Sequence, residues 1–326
     1  MVDRYTCLLF YLLHERCRLK SEEVHFLNQN INLAGTLYHP ESKPPHPAIV
    51  VVHPASSGER TDPFYDHLRS ELPRHGIAVL IFDRRGAGAS EGDFKTADFE
   101  DLADDVIAGI EYLQTRPDIE KSKIGLHGTS QGAWIAPIAA ARKLDIACLV
   151  AVSASGVSPA EQMNYGVAFH LEQQGFDQAV IAEVIRLRNQ VNEYFRGRVS
   201  REEAAAELGR FEHETWYEQG YLYASSELPV DITQSKWHYE MDYEPLSIWK
   251  RVTQPTLFIF AEVDEWVPIG QSMVNYQNAT AHLSDVSLMQ ILGTDHLMRN
   301  PSGEISEEYM NMLLDWLKSR LAISGF

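Results

Sequence analysis

The stretch Lys123–Ala140 constrains the fold of this chain more than any other part of the sequence. Its apolar run Ile124–His127 predicts a short buried strand, and the small residues from Ala133 onward predict a helix. Between them lies Gly128-Thr129-Ser130-Gln131-Gly132. A turn this tight strains its central residue, so the positions two residues to either side must lack bulk, and both are glycine. The pattern predicts a strand–turn–helix unit with the Ser130 hydroxyl above a sheet edge.

Strand and helix patterns alternate along much of the remaining chain. Continuous apolar or β-branched runs are typical of strands buried on both faces, and amphipathic segments are typical of covering helices. After a hairpin over Glu22–His39, the predicted strands are Ala48–Val52, Ile77–Phe82, Ala147–Val152, Thr256–Phe260 and Val286–Leu292. Helices are predicted at 64–74, 102–113 and 304–321. The alternation predicts an α/β protein with a mostly parallel central sheet flanked by helices.

The alternation stops between residues 158 and 245, where no obvious buried strand occurs. Asp177–Arg196 has apolar residues at helical spacing, and Ser200-Arg-Glu-Glu203 resembles a capping box that opens another helix. Aromatic residues are frequent from Phe211 to Trp249, and they could form either the core of an inserted cap or the wall of a substrate pocket. We therefore predict an N-terminal extension (1–21), an α/β core (22–157 and 246–326) and a helical cap (158–245).

Charge and cysteine content exclude several classes of protein. The net charge of −18 over 326 residues argues against nucleic-acid binding, which needs a basic surface, and disfavours anionic membranes. The apolar run Tyr5–Leu13 is too short for a stable membrane span, and no signal-peptide cleavage site follows it. Three cysteines, Cys7, Cys17 and Cys148, give no disulfide framework, so we predict a cytoplasmic protein, with a Cys7–Cys17 bridge as the alternative.

Three predicted strand ends carry side chains of complementary chemistry. Ser130 lies in the turn described above, Asp264 follows the strand Thr256–Phe260, and His296 follows the strand Val286–Leu292. In open parallel sheets, functional groups gather at the carboxyl ends of the strands. A histidine can take the serine proton and return it near neutral pH, while a carboxylate orients the imidazole. The three residues therefore predict nucleophilic catalysis by Ser130 with His296 as base and Asp264 as the orienting acid.

Six pieces of the sequence, in this order, resemble the α/β-hydrolase superfamily. They are Leu33–Pro40, the loop at His53, Asp83–Ser90, Gly128–Gly132, Glu262–Pro268 and Asp295–His296. The chain resembles in particular a bacterial carboxylesterase-type serine hydrolase with a helical cap, over roughly residues 22–322. The resemblance implies a small-molecule ester or acyl substrate and neither a cofactor nor a metal. It leaves the oligomeric state open, so a homo-oligomer is compatible with it.

The resemblance also implies where an oxyanion would bind. The residue after the nucleophile supplies one backbone N–H, which is that of Gln131 here. The second donor comes from the loop that usually begins His-Gly, but this chain has His53-Pro54. Because proline has no N–H, the donor must be Ala55 or Ser56, and the sequence does not decide between them.

Other charged residues near the strand ends have structural interpretations. We expect His53 and His127 to be structural, and Asp83 and Arg85 to hold their loop through hydrogen bonds and an ion pair. Arg60 is expected to be solvated, with an anionic substrate group as its alternative partner. On the predicted helix that contains Leu102 and Leu113, the acidic residues Asp101, Asp104, Asp105 and Glu111 are expected to face water.

Several alternatives remain at this point. Asp264 could be a surface turn residue, in which case Glu262 is the nearest substitute acid, and His296 could be structural. The same triad would also serve a thioesterase, a lactonase, an amidase or an aminopeptidase-like enzyme. An aminopeptidase should place a cluster of carboxylates near the pocket, for which Glu202, Glu203, Glu207, Glu212 and Glu214 are available. A non-catalytic binding protein on the same fold is a further alternative.

Overall fold

Eight strands form one central sheet in the computed structural model, which describes residues 20–323. They are β1 (Lys20–Asn28), β2 (Ile31–His39), β3 (His46–Val52), β4 (Ala78–Phe82), β5 (Ile119–Thr129), β6 (Leu149–Val152), β7 (Thr256–Ala261) and β8 (Val286–Ile291). The order across the sheet is β1-β2-β4-β3-β5-β6-β7-β8. β1 pairs with β2 and β2 with β4 in antiparallel fashion, and every other pairing is parallel. The predicted fold class is confirmed.

Ten α-helices lie within the described residues. They are α1 (Asp66–Arg74), α2 (Phe99–Thr115), α3 (Gly132–Arg142), α4 (Pro159–Gln173), α5 (Gln178–Phe195), α6 (Arg201–Gly209), α7 (Lys236–Glu240), α8 (Pro245–Trp249), α9 (Ile269–Ala279) and α10 (Glu307–Arg320). Short 3-10 turns occur at Pro63–Tyr65, Glu218–Gly220, Ser225–Glu227 and Ile232–Gln234. The Ser200 capping box opens α6 as predicted. No helix in residues 20–323 combines the length and the apolar character needed to cross a bilayer.

The strands are buried on both faces because helices cover the sheet on both sides. Side chains such as Val50 and Leu80 project to one face, where α2, α3, α8 and α9 pack against them. Their neighbours along the strands, such as Ile49 and Val79, project to the other face and contact α1 and α10. This two-sided burial explains why the strands consist of continuous apolar runs rather than alternating ones.

The chain between β6 and β7 (residues 153–255, called the helical insert below) builds a separate apolar cluster. Residues of α4, α5 and α6 form it together with buried aromatic side chains, among them Trp216 and Tyr217. Tyr243 and Trp249, near the end of the insert, pack against the main core instead. The boundaries 158 and 245 stay a prediction. Of the extension 1–21, residues 1–19, with Cys7 and Cys17, lie outside the described residues.

Two expectations about charged residues were wrong. Asp105 was expected to face water, but only 1% of it is exposed, and its carboxylate accepts hydrogen bonds from the Arg85 guanidinium at 2.7 and 2.8 Å. Arg60 is neither simply solvated nor free for a substrate, because its guanidinium pairs with Asp83 and with Glu23. Asp83 and Arg85 thus hold their loop through two separate ion pairs. The partners come from distant segments, which a local pattern of polar residues does not reveal.

Candidate active site

Ser130 occupies the sharp turn between β5 and α3. Its φ angle is +53°, in the left-handed region, and its N–H donates to the carbonyl oxygen of Val152 at 2.9 Å. Steric constraints require glycine at both flanking positions. A Cβ atom on Gly128 would lie 2.2 Å from the carbonyl oxygen of Gly132, and a Cβ atom on Gly132 would lie 2.2 Å from that of Val52. The turn therefore holds Ser130 in a strained conformation that places its side chain at the carboxyl end of the sheet.

His296 lies beside Ser130 although 166 residues separate them along the chain. Its Nε2 atom is 3.0 Å from Ser130 Oγ. Its Nδ1 atom is 2.8 Å from each carboxylate oxygen of Asp264. Because an ionised carboxylate only accepts hydrogen bonds, Nδ1 carries the proton and Nε2 is left as an acceptor for the serine hydroxyl. The structure thus brings Ser130, His296 and Asp264 into one hydrogen-bonded chain.

Asp264 is held in place by the backbone that follows it. Its Oδ1 atom accepts the N–H groups of Trp266 at 2.9 Å and Val267 at 2.8 Å, and its side chain is fully buried. Glu262, the alternative acid, is exposed and accepts the N–H of Gly293 at 2.7 Å. Within residues 20–323, Asp264 is therefore the carboxylate positioned to orient His296.

The surroundings of His296 affect its proton affinity in opposite directions. Burial lowers its pKa, but the hydrogen bond and negative charge of Asp264 raise it, as does the charge of Glu265. The raising effects are larger, so the pKa of His296 lies above its ordinary value of 6.5. A base of this kind holds an abstracted proton more firmly, which favours removal of the serine proton.

The candidate oxyanion donors lie at the start of α3 and in the loop after β3. Within the described chain, no acceptor is bonded to the N–H of Gln131, one of the free donors of the first turn of the helix. Ala55 and Ser56 form an exposed turn just after Pro54. That the second N–H comes from Ala55 or Ser56 stays a prediction.

The other two histidines at strand ends make buried contacts with the scaffold. His53 bonds through its two ring nitrogens to the Tyr65 hydroxyl and the Phe82 carbonyl oxygen, and burial lowers its pKa to about 4. His127 Nε2 lies 3.0 Å from the Tyr309 hydroxyl, and burial lowers its pKa to about 3. Both are neutral at physiological pH, and these contacts agree with structural roles. These bonds tie the loop after β3 to β4 and to the 3-10 turn Pro63–Tyr65, and they tie β5 to α10.

Sequence reasoning missed a buried charged group next to the nucleophile. The side-chain amide of Gln131 donates to Glu240 Oε1 at 3.3 Å, and that oxygen also lies 2.7 Å from Lys236 Nζ. Burial raises the pKa of Glu240, while the charges of Lys236 and Arg84 act against the rise. The spacing of four residues between Lys236 and Glu240 on α7 was the only signal in the sequence, and it is typical of solvent-exposed helix pairs as well.

Within residues 20–323, no group of three or more His, Cys, Asp or Glu side chains is arranged to hold a metal ion.

Comparison with known proteins identifies the superfamily. The X-Pro dipeptidyl-peptidase (S15) family model matches residues 29–297. The esterase Pf2001 of Pyrococcus furiosus has a similar fold, with a TM-score of 0.63 and 16% identity over 94% of this chain and 95% of the esterase. The resemblance to α/β-hydrolases is confirmed.

Curated relatives match in shorter segments. A thiohydrolase of Aspergillus aculeatus is 33% identical over 33% of this chain and 33% of its own length. A putative carboxymethylenebutenolidase of Synechocystis is 27% identical over 36% of this chain and 52% of its own length. The matches thus span between a third and about half the length of these relatives.

Proposed function

We propose that this chain, which belongs to the X-Pro dipeptidyl-peptidase (S15) family, is a serine hydrolase that cleaves carboxylic esters of small molecules through an acyl-enzyme. The observation that carries the proposal is the hydrogen-bonded chain Ser130–His296–Asp264, with Ser130 at positive φ between a strand and a helix. That combination is the arrangement from which a serine hydroxyl attacks an acyl carbon.

The proposed reaction has two halves. His296 Nε2 accepts the proton of Ser130 as Oγ attacks the ester carbonyl, and it then donates this proton to the departing alcohol. A water molecule, activated by His296 in the same way, hydrolyses the acyl-enzyme and releases the carboxylic acid. Asp264 stabilises the imidazolium in both halves. The N–H of Gln131, with that of Ala55 or Ser56, stabilises the negative oxygen of each tetrahedral intermediate.

Hydrolysis of p-nitrophenyl acetate by Ser130→Ala tests the proposal. Loss of the nucleophile should lower kcat by about 10⁴-fold or more, and a fluorophosphonate probe should label the wild type but not the variant. Ser122→Ala is the matched control, because Ser122 lies exposed on the same strand, β5, and should leave both readouts unchanged. Near-full turnover by Ser130→Ala would refute the proposal.

The family name favours one second candidate, a peptidase that removes dipeptides ending in proline. Such an enzyme needs an acidic group for the free amino terminus of its substrate. The carboxylates suggested for this role are partly engaged elsewhere: Glu207 pairs with Arg186 and Arg210, and Glu212 accepts the N–H of Ser225. The buried Glu240 is already neutralised by Lys236. These contacts favour an ester over an aminoacyl substrate.

A side-by-side substrate panel separates the candidates. Purified enzyme should hydrolyse p-nitrophenyl esters with a higher kcat/KM than alanyl-prolyl-p-nitroanilide. A thioester of the same acyl group tests the thioesterase alternative, which the thiohydrolase relative makes relevant. Higher kcat/KM for the nitroanilide would overturn the ester proposal and support the peptidase.

We also propose a cytoplasmic location, which fractionation of the cells that produce the protein would test.

A further inference from the structure

The helical insert contains a cavity of roughly 290 Å³ with a buried arginine in its wall. Apolar side chains form much of the rest of the lining: Met163, Val191, Leu222, Tyr223 and Trp237. The volume is near the lower limit for small-molecule pockets. At about 30 Å³ per water-sized unit, it suits a ligand of on the order of ten non-hydrogen atoms.

Arg188, on α5, is the charged group of this cavity, and only 8% of it is exposed. Its Nε atom donates to Asn164 Oδ1 at 3.0 Å, and its Nη1 atom donates to the carbonyl oxygens of Gly220 and Tyr221 at 3.0 Å each. All three acceptors are neutral. They fix the plane of the guanidinium, and they leave Nη2 without an acceptor within residues 20–323.

The charge of Arg188 is also uncompensated. In the described part of the chain no carboxylate pairs with it, whereas Arg186, two positions earlier on the same helix, pairs with Glu183 and Glu207. Burial lowers the pKa of Arg188 to about 10, so the group stays charged at neutral pH under unfavourable solvation. A buried charge without a counter-ion is costly to fold, because the hydration of the guanidinium is lost and no carboxylate replaces it.

From this geometry we infer that the cavity binds a small organic anion with an apolar body, and that Arg188 anchors its carboxylate through Nη2. The hydrogen bonds to neutral oxygens already fix the orientation of the guanidinium, so little side-chain entropy is lost when the anion binds. The apolar and aromatic walls would enclose the rest of the ligand.

The wall of the cavity also contacts the loop that carries Asp264. Tyr221 is part of its lining, and the ring centroid of Tyr221 lies 6.0 Å from that of Trp266. The backbone N–H of Trp266 donates to the Asp264 carboxylate. Tyr165, two positions after Met163 on α4, donates its hydroxyl to the carbonyl oxygen of Asp264 at 3.3 Å. The anion could therefore be the far end of an ester substrate or a separate carboxylic acid, and both have the same chemistry at Arg188.

Calorimetric titration with phenylacetate and its neutral isostere phenylacetamide tests the site. Phenylacetate has ten non-hydrogen atoms, and a charge-assisted bond to Arg188 should make it bind about ten- to hundredfold more tightly than the amide. Arg188→Met should abolish this preference, and Arg188→Lys should retain part of it because the positive charge remains. Arg186→Gln is the matched control and should behave as the wild type. Equal binding of the two compounds by wild type, or no binding of either, would overturn the inference. This result does not depend on whether any variant folds, because it is measured on the wild type.

Kinetics identify the source of the anion. If it is part of the substrate, phenylacetate inhibits competitively, and Arg188→Met raises KM for p-nitrophenyl glutarate but not for p-nitrophenyl pentanoate. If it is a separate acid, phenylacetate does not compete and the two KM values stay unchanged in the variant. Either result supports the site, provided that the wild type binds phenylacetate more tightly than phenylacetamide. A protein that binds phenylacetate through Arg188 but hydrolyses no ester would retain this inference and refute the proposed function.

Discussion

Asp264→Asn is the substitution for which the structure makes the most specific prediction. Oδ1 of Asp264 accepts two backbone N–H groups, at 2.9 and 2.8 Å, so the amide oxygen of asparagine should occupy that position. The amide NH₂ then replaces Oδ2 and directs a donor at His296 Nδ1, 2.8 Å away. This favours the tautomer with the proton on Nε2, which can no longer accept the proton of Ser130.

The expected loss in kcat is about 10⁴-fold, or about 5.4 kcal/mol of transition-state stabilisation. The acidic limb of the pH–rate profile should also move to lower pH, because the negative charge that raises the pKa of His296 is gone. Stopped-flow hydrolysis of p-nitrophenyl acetate between pH 5 and 9 measures both effects. Thermal unfolding should change little, since asparagine keeps the two backbone bonds.

Glu262→Gln is the matched control for this experiment, because Glu262 is the substitute acid considered from the sequence and it is exposed. It should keep kcat within about twofold of wild type, as surface substitutions away from the chemistry usually do. If Asp264→Asn retained a tenth or more of the activity, or if Glu262→Gln lost as much as Asp264→Asn, the assignment of the acid would be wrong.

Three further predictions concern pH and stability. Because neighbouring carboxylates hold the pKa of His296 above 6.5, kcat/KM should fall as pH drops through an apparent pKa above that value, and an acidic limb centred lower would contradict the electrostatic reasoning. Asp105→Asn should lower the free energy of unfolding in urea by about 3–5 kcal/mol, since it removes the buried carboxylate that pairs with Arg85 and leaves only the partly exposed Asp101 at 3.4 Å. Asp104→Asn, which removes a surface pair from the same helix, should cost less than about 1 kcal/mol, and similar losses would show that burial is not the cause. Gly128→Ala should destabilise the protein by about 3 kcal/mol or more, because the added Cβ would lie 2.2 Å from a backbone oxygen, and an unchanged urea midpoint would contradict this clash.

Local sequence was sufficient to predict the turn that carries Ser130. The strand before it and the helix after it follow local patterns, and Gly128 is required by its close approach to the backbone of Gly132. Gly132 is required by a distant residue, Val52 on β3, although the glycine itself is visible in the motif. Asp264 and His296 could be predicted for a different reason. Parallel strands present their carboxyl ends at one edge, so polar residues that follow separate strands are brought near one another whatever the intervening sequence.

The sequence did not reveal which charged residues are buried. Asp105 follows the polar positions of an amphipathic helix, yet Arg85 reaches it from the loop after β4. Glu240 contacts Gln131 across 109 residues. Whether a charge is buried depends on a partner delivered by another segment, and helical periodicity reports only which face of a helix is polar.

The helical insert shows the same division. The sequence predicted helices there and contains many aromatic residues, but it left open whether these residues form a core or a pocket wall. The tertiary structure buries Trp216 and Tyr217 in the insert's own cluster and places Tyr223 and Trp237 in the wall of the cavity. Sequence alone determined the order of the strands along the chain, the turn at Ser130 and the edge where the polar residues meet, because turn sterics and periodic burial govern them. Only the tertiary structure decided which charges are paired and where a cavity remains, because both depend on how distant segments pack.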